Sequence, residues 1–383
     1  MKIWASGVAA LMLMLLLVSG AMAQDVMRLY VPKGAVEAAQ AQRLLAMLNE
    51  EGPWTLMEDE RTLRELVLAG DAPELAICFP GQARPWAREG MLLELQLHIS
   101  GQQRMQRQVL APCVEGEALF MAPLVAHHRQ MAVNTQLMEE VGLGYMLDRQ
   151  AYPVWYPAQF YQILEEFMIR DRPAMDVWRV QVEDSAAIEA LTQAIFGGML
   201  LGEDGETCRV GGLDMRGGVR WLFDAVDDGM IGYCESREEA LARFLSGETA
   251  IYLDWTESLA KQLEGTEQAL AIATMPYPAA AGLPVRSFEL VGVCAFGSGD
   301  AARDARLRQA CARLHEGAKE VFAQRGIWQD GAVWLPMLEA DDRGMTLRSL
   351  FCEALRGVME EGEDVEAALS RVQAAMDALD GTQ

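Results

Sequence analysis

With 56 acidic against 32 basic side chains, the 383-residue chain carries a formal net charge of −24. That balance excludes nucleic acid as a partner, because such binding needs a basic face to displace counterions from phosphates, and it disfavours adhesion to anionic lipid. An apolar content of 51% is enough for sizeable cores, and the length suggests two domains rather than one.

The chain opens with Lys2, an apolar run from Val8 to Val18 and the small-x-small triplet Ala21-Met22-Ala23 before Gln24. This reads as a secretory signal peptide over residues 1–23, with an uncleaved anchor as the alternative. The run is short for a membrane span and no later run is long enough, so an exported, soluble protein is expected, periplasmic or extracellular. Seven cysteines follow: Cys78, Cys113, Cys208, Cys234, Cys294, Cys311 and Cys352. An odd count without C-x-x-C argues against a zinc ribbon or a thioredoxin-like site. Cys78 and Cys294 lie in apolar runs and read as buried small hydrophobes, while a Cys208–Cys234 bridge across an intervening helix stays open.

A short strand over 26–31 precedes a helix over 35–48, then a strand at 54–57 and a helix over 62–69 that ends on Gly70. Residues 74–79 form a third strand, 80–84 a loop, and 86–95 a helical segment broken at Gly90. Strands and helices alternating at this spacing imply parallel pairing through right-handed crossovers. The middle holds a strand end at 132–134, helices over 135–141, 157–167, 184–196 and 213–229, and a glycine-rich loop or hairpin over 202–212. The stretch EEALARFLSGETAIYLDW, Glu238–Trp255, is a helix stopped by Gly247 and returned at once to a strand that ends on Asp254 and Trp255. Strands at 270–275 and 290–296 follow, then helices over 301–325, 346–359 and 365–379.

Phe-Leu-Ser-Gly followed by Glu-Thr-Ala-Ile-Tyr resembles the F-x-x-G-x-x-A-M motif of the extracellular solute-binding proteins of ABC transporters, most closely the family-1, sugar-binding type. Further segments resemble that family in its own order. They are Asp71–Ala76, Trp86–Leu95, Pro123–Leu143, Tyr156–Phe160, Met275-Pro276, Gly326–Pro336 and the closing helices around Glu353 and Glu366. The resemblance implies an α/β periplasmic-binding-protein fold: two α/β lobes around a cleft, joined by crossings near 123–126, 272–276 and 331–336. Lobe 1 would hold 24–122 and 276–330, lobe 2 residues 123–275 and 331–383.

Ligands of open α/β sheets bind beyond the carboxyl ends of the strands. Asp254 and Trp255 are therefore the first candidate contacts, an acid for hydroxyls and a ring for stacking, against a simple packing role for Trp255. Gln82 and Arg84 stand at the matching strand end of lobe 1, against a solvated turn. Trp178 with Glu183 and Asp184 would face the cleft from lobe 2, although Asp184 also suits a helix cap. Tyr277 and Arg286 flank the second crossing. Arg348 begins the helix where sugar binders of this type often place an aromatic, with a surface role as its competitor. Trp328 and Trp334 flank the third crossing, where hinge packing is the simpler use.

Enzymatic signals are poor. His127 and His128 are adjacent and on a strand point to opposite faces, so they cannot share a metal, and no hydrolase, zincin or nucleotide-binding motif occurs. The expectation is a non-enzymatic monomer without cofactor or metal. It would capture a small solute, a carbohydrate by the resemblance, for delivery to an ABC permease in the membrane. A sensing module of the same fold and a secreted hydrolase are the alternatives.

Overall fold

The computed structural model describes residues 26–380 apart from 33–34, 58, 60, 97–109, 183, 203–206, 267–270, 281–284, 323–332 and 337–341. The signal-peptide reading therefore lies outside the described residues, as do Glu183 and Trp328. Strand β1 (Met27–Tyr30) leads to helix α1 (Ala38–Asn49), which buries Ala41, Leu44 and Leu48 at helical spacing. Strand β2 (Trp54–Leu56) and helix α2 (Leu63–Leu68) follow. Thr62 caps α2, its side chain accepting from the Glu65 N–H while the Glu65 carboxylate accepts from the Thr62 N–H. The buried strand β3 (Leu75–Cys78) passes directly into α3 (Pro80–Arg88). This corrects the expected loop at 80–84: Pro80 suits the first helical position, so the helix starts at once and ends early.

A hairpin, β4 (Val114–Glu115) and β5 (Ala118–Leu119), precedes the long strand β6 (Ala122–Asn134). Then come α4 (Thr135–Glu140), α5 (Pro157–Met168), β7 (Met175–Trp178), α6 (Ala186–Phe196), α7 (Leu213–Asp227) and β8 (Ile231–Cys234). Next are α8 (Arg237–Leu245), β9 (Ile251–Thr256), α9 (Glu257–Leu263) and β10 (Ile272–Met275). The chain closes with β11 (Val285–Ala295), α10 (Ala301–Val321), β12 (Val333–Pro336), α11 (Asp342–Glu361) and α12 (Val365–Asp380). Strands β7 and β8 escape sequence analysis because four-residue stretches such as Ile-Gly-Tyr-Cys carry no readable period.

Among the described residues ten strands form one sheet in the order β2-β1-β3-β11-β6-β9-β7-β8, with β10 beside β6 and β12 beside β11. Pairing is parallel within β2-β1-β3 and within β9-β7-β8, and antiparallel where β3, β11, β6 and β9 meet in the middle. On the β1–β3 side the sheet is covered on both faces. Leu29, Leu75, Ile77 and Val293 pack with Leu44 of α1 and Leu314 of α10, while Ala76, Cys78 and Cys294 pack with Leu66 of α2 and Trp86 of α3. A separate core gathers β7, β8 and β9 with helices α5–α8, α11 and α12. Strands β6 and β11 run from one core to the other. In β6 the change falls between Ala126 and Met131, and in β11 between Phe288 and Val285.

All seven cysteines are buried free thiols, so the bridge left open between Cys208 and Cys234 is absent. The Cys234 sulfur instead lies 3.5 Å from Nη1 of Arg243. No described helix is long and apolar enough to cross a membrane.

Candidate functional site at the waist of the sheet

Between its two buried stretches, β6 exposes His127, His128, Arg129 and Gln130 in part. Side chains alternate along a strand, so His127 and Arg129 leave one face and His128 and Gln130 the other. The first face is identified by its contacts. His127 Nε2 lies 3.4 Å from the carbonyl oxygen of Ala35, in the turn after β1. Arg129 Nη1 donates to Oδ1 of Asp254 near the end of β9, and Arg237 Nη1, at the start of α8 just after β8, donates to Oδ2 of the same acid at 3.3 Å. Glu289 of β11 is the cross-strand partner of His127 and so points to this face as well. The carboxyl ends of strands from both cores thus converge on one stretch of β6.

The chain reaches this point by local rules. Ser236 caps α8 by accepting from the Glu239 N–H, and Gly247, with φ of 79°, supplies the left-handed residue that ends the helix and turns the chain into β9. Strand β9 then carries Asp254 and Trp255 within it rather than beyond it. Trp255 pairs with Gln130, so it occupies the face opposite Asp254.

Asp254 is the electrostatic centre. Its side chain is 4% exposed, against 21% for Arg129 and 35% for Arg237. Burying a carboxylate is costly unless it is paired, and here both oxygens accept from guanidinium groups. Burial, with the Asp254 charge next, pushes the phenols of Tyr252 and Tyr277 up. Tyr277 keeps its proton in a 3.0 Å bond donated to the Leu253 carbonyl oxygen.

Most residues singled out from the sequence are not brought to this face. Trp178 and Trp255 are buried at the two ends of an aromatic stack, Trp178–Tyr252–Phe244–Trp255, with centroids 5.9–6.3 Å apart. Both tryptophans therefore hold α8 onto the sheet rather than facing a ligand. Tyr277 is wholly buried beneath the site. Gln82 accepts from the Phe79 N–H at the start of α3, and Arg84 is buried, its Nη2 donating to the Pro112 carbonyl oxygen at 2.9 Å. Arg348 is neither a surface arginine nor a cleft residue: it is buried, and its Nε donates to Oε1 of Glu189 in α6 at 3.0 Å. Asp184 accepts from the Gln181 N–H at 2.8 Å in the turn before α6, and burial raises its carboxyl despite that bond. Of the expected contacts, Asp254 alone sits at the centre of the waist. Side chains of Arg286 and Trp334 lie outside the described residues.

Arg129, Arg237 and Glu289 were not anticipated. The available signal was the polar run His127–Gln130 inside an otherwise apolar strand. Among the described residues no group of three or more His, Cys, Asp or Glu is placed to hold a metal. Two open depressions of about 480 and 520 Å³ share Arg209 and Gly212, but no residue of the ten-stranded sheet lines them.

No protein-family model and no curated protein matches the sequence. Solved structures do match. The chain is similar to the sugar-binding protein MalE from Xanthomonas citri, with a TM-score of 0.70 and 15% identity over 92% of this chain and 96% of that one. It has the periplasmic-binding-protein fold. It is likewise similar to the cyclic alpha-maltosyl-1,6-maltose binding protein of Arthrobacter globiformis, at TM-score 0.68 and 14% identity over 92% and 98%. A third likeness is to UgpB of Mycobacterium tuberculosis in complex with glycerophosphocholine, at TM-score 0.65 and 11% identity over 93% and 99%.

Proposed function

We propose that the chain is an exported solute-binding protein, of the family-1 type that its motifs resemble, which captures a small solute at the waist and delivers it to an ABC importer. The observation that carries this reading is the convergence of strand ends from two separate cores on Arg129, Asp254 and Arg237. The cores act as two lobes. The crossings are the exposed stretch of β6, the start of β11 and the β12 strand beside it; Tyr277, Ala279 and Val285 pack in the second core, which favours counting them with the second lobe. Solute bridging the lobes stabilises a closed state over an open one, by no more than its difference in affinity for the two. The closed form then docks on the permease.

One similar structure is a cyclic alpha-maltosyl-1,6-maltose binding protein and another is in complex with glycerophosphocholine, so the fold leaves the solute class open. A thermal-unfolding panel of sugars, polyols, amino acids and phosphodiesters tests the reading. A solute at about 100 times its dissociation constant raises stability by about 2.7 kcal/mol. A panel that moves no melting temperature, with native mass spectrometry finding no retained small molecule, refutes it.

A further inference from the structure

The geometry points to a solute held through an anionic group, a carboxylate or a phosphate, on the Arg129–Asp254–Arg237 cluster; this rests on the capture reading above. Three observations carry it. First, Asp254 accepts from an arginine on each oxygen, which occupies the carboxylate that a sugar hydroxyl would otherwise use. Its role becomes that of a positioning residue, fixing two guanidinium forks. Second, donors remain. Among the described residues Nη1 is the one side-chain atom of Arg129 that makes a hydrogen bond, to Asp254, so Nε and Nη2 of Arg129 and Nε of Arg237 have no partner there. Planar donors with a fixed orientation suit an oxyanion with two acceptor oxygens. Third, the rings of Trp178, Tyr252, Trp255 and Tyr277 are all buried and offer no face for stacking a pyranose.

The acids around the cluster limit the ligand without forbidding it. Glu238 lies 3.3 Å from Arg237 Nη2, Glu289 and Tyr277 face Arg129, and Asp184 stands nearer Arg237. They favour a single anionic group on a hydroxylated or cationic body over a polyanion. The overall charge acts weakly at this range, since exposed charges are screened beyond about 8–10 Å at physiological salt, whereas the bonds to Arg129 and Arg237 are made at contact.

Isothermal titration of the full chain with matched probes tests this: glucose and maltose as neutral sugars, glucuronate and galacturonate as carboxylates, glycerol 3-phosphate and glycerophosphocholine as phosphates. The expected result is binding in one charged arm, and that arm identifies the source of the oxyanion. Affinity should fall about tenfold or more in Arg237→Gln and in Arg129→Lys, which keeps the charge and loses the fork. Arg209→Gln, on the outer depressions, should leave it unchanged, and melting of each ligand-free variant separates binding loss from misfolding. Binding of glucose or maltose as tight as that of the acids, unaffected by Arg237→Gln, overturns the anion inference and leaves capture standing. Binding by no probe to a folded protein removes capture and this inference with it.

Discussion

Two of the arginine–acid pairings in the molecule differ in what they leave over. Arg348 of α11 meets Glu189 of α6 with side chains 10% and 2% exposed, and Ser185 also donates to the same carboxylate. At the waist the acid is buried but both arginines reach solvent. In the first arrangement both charges are withdrawn from water and serve each other, joining the C-terminal helices to the second core. In the second a buried acid aims donors outward. The comparison teaches that burial of the arginine, rather than the presence of an ion pair, separates a packing fixture from a recognition element. A third pair, Asp176 of β7 with Arg243 of α8, lies between them: the acid is buried, Oδ1 accepts from Arg243 Nη1 at 3.0 Å, and Oδ2 has no partner among the described residues.

The largest effect should come from Arg348→Met, which leaves Glu189 charged and buried and costs about 3–5 kcal/mol in denaturant unfolding. Adding Glu189→Leu should recover most of that loss; if it does not, the pair is more than a mutual fixture. Asp176 comes next. Burial raises its carboxyl to about 6 against the pull of Arg243. The folded value lies above the unfolded one, so the folded state holds more protons between about pH 4 and pH 6 and this group's contribution falls as pH rises through that window. The swing is at most about 3 kcal/mol, and it should appear as the difference between the stability-versus-pH curves of the native protein and Asp176→Asn. Curves of identical shape would mean that this carboxyl titrates alike in the folded and unfolded states. A methyl at position 232 would sit 2.0 Å from Asp176 Oδ1, so Gly232→Ala presses on the same pair.

Ser236→Ala, which removes the cap that starts α8 and positions Arg237, should lower stability by about 1 kcal/mol. The smallest stability change belongs to Arg237→Gln, below about 1 kcal/mol, because the arginine is part-exposed and Arg129 keeps its bond to Asp254. A loss as large as that of Arg348→Met would make Arg237 a fixture too and erase the contrast between the regions.

Sequence by itself determined the α/β alternation, most helices to within a few residues and the turn at Gly247. These rest on short-range physics: apolar residues three or four apart, caps beside the helix, glycine where φ must be positive. It did not determine which side chains meet at the waist. Asp254 and Trp255 are neighbours on one strand, so one must face the cluster and the other the core. Which does which is decided by the register of β9 on β6, more than a hundred residues away, including its irregularity between Gln130 and Ala132. The same long-range pairing brings Arg129 and Glu289 to one face, and buries Arg348, whose partner Glu189 lies 159 positions earlier. A local pattern states that a residue is polar or apolar. Only the packed structure states what stands opposite it.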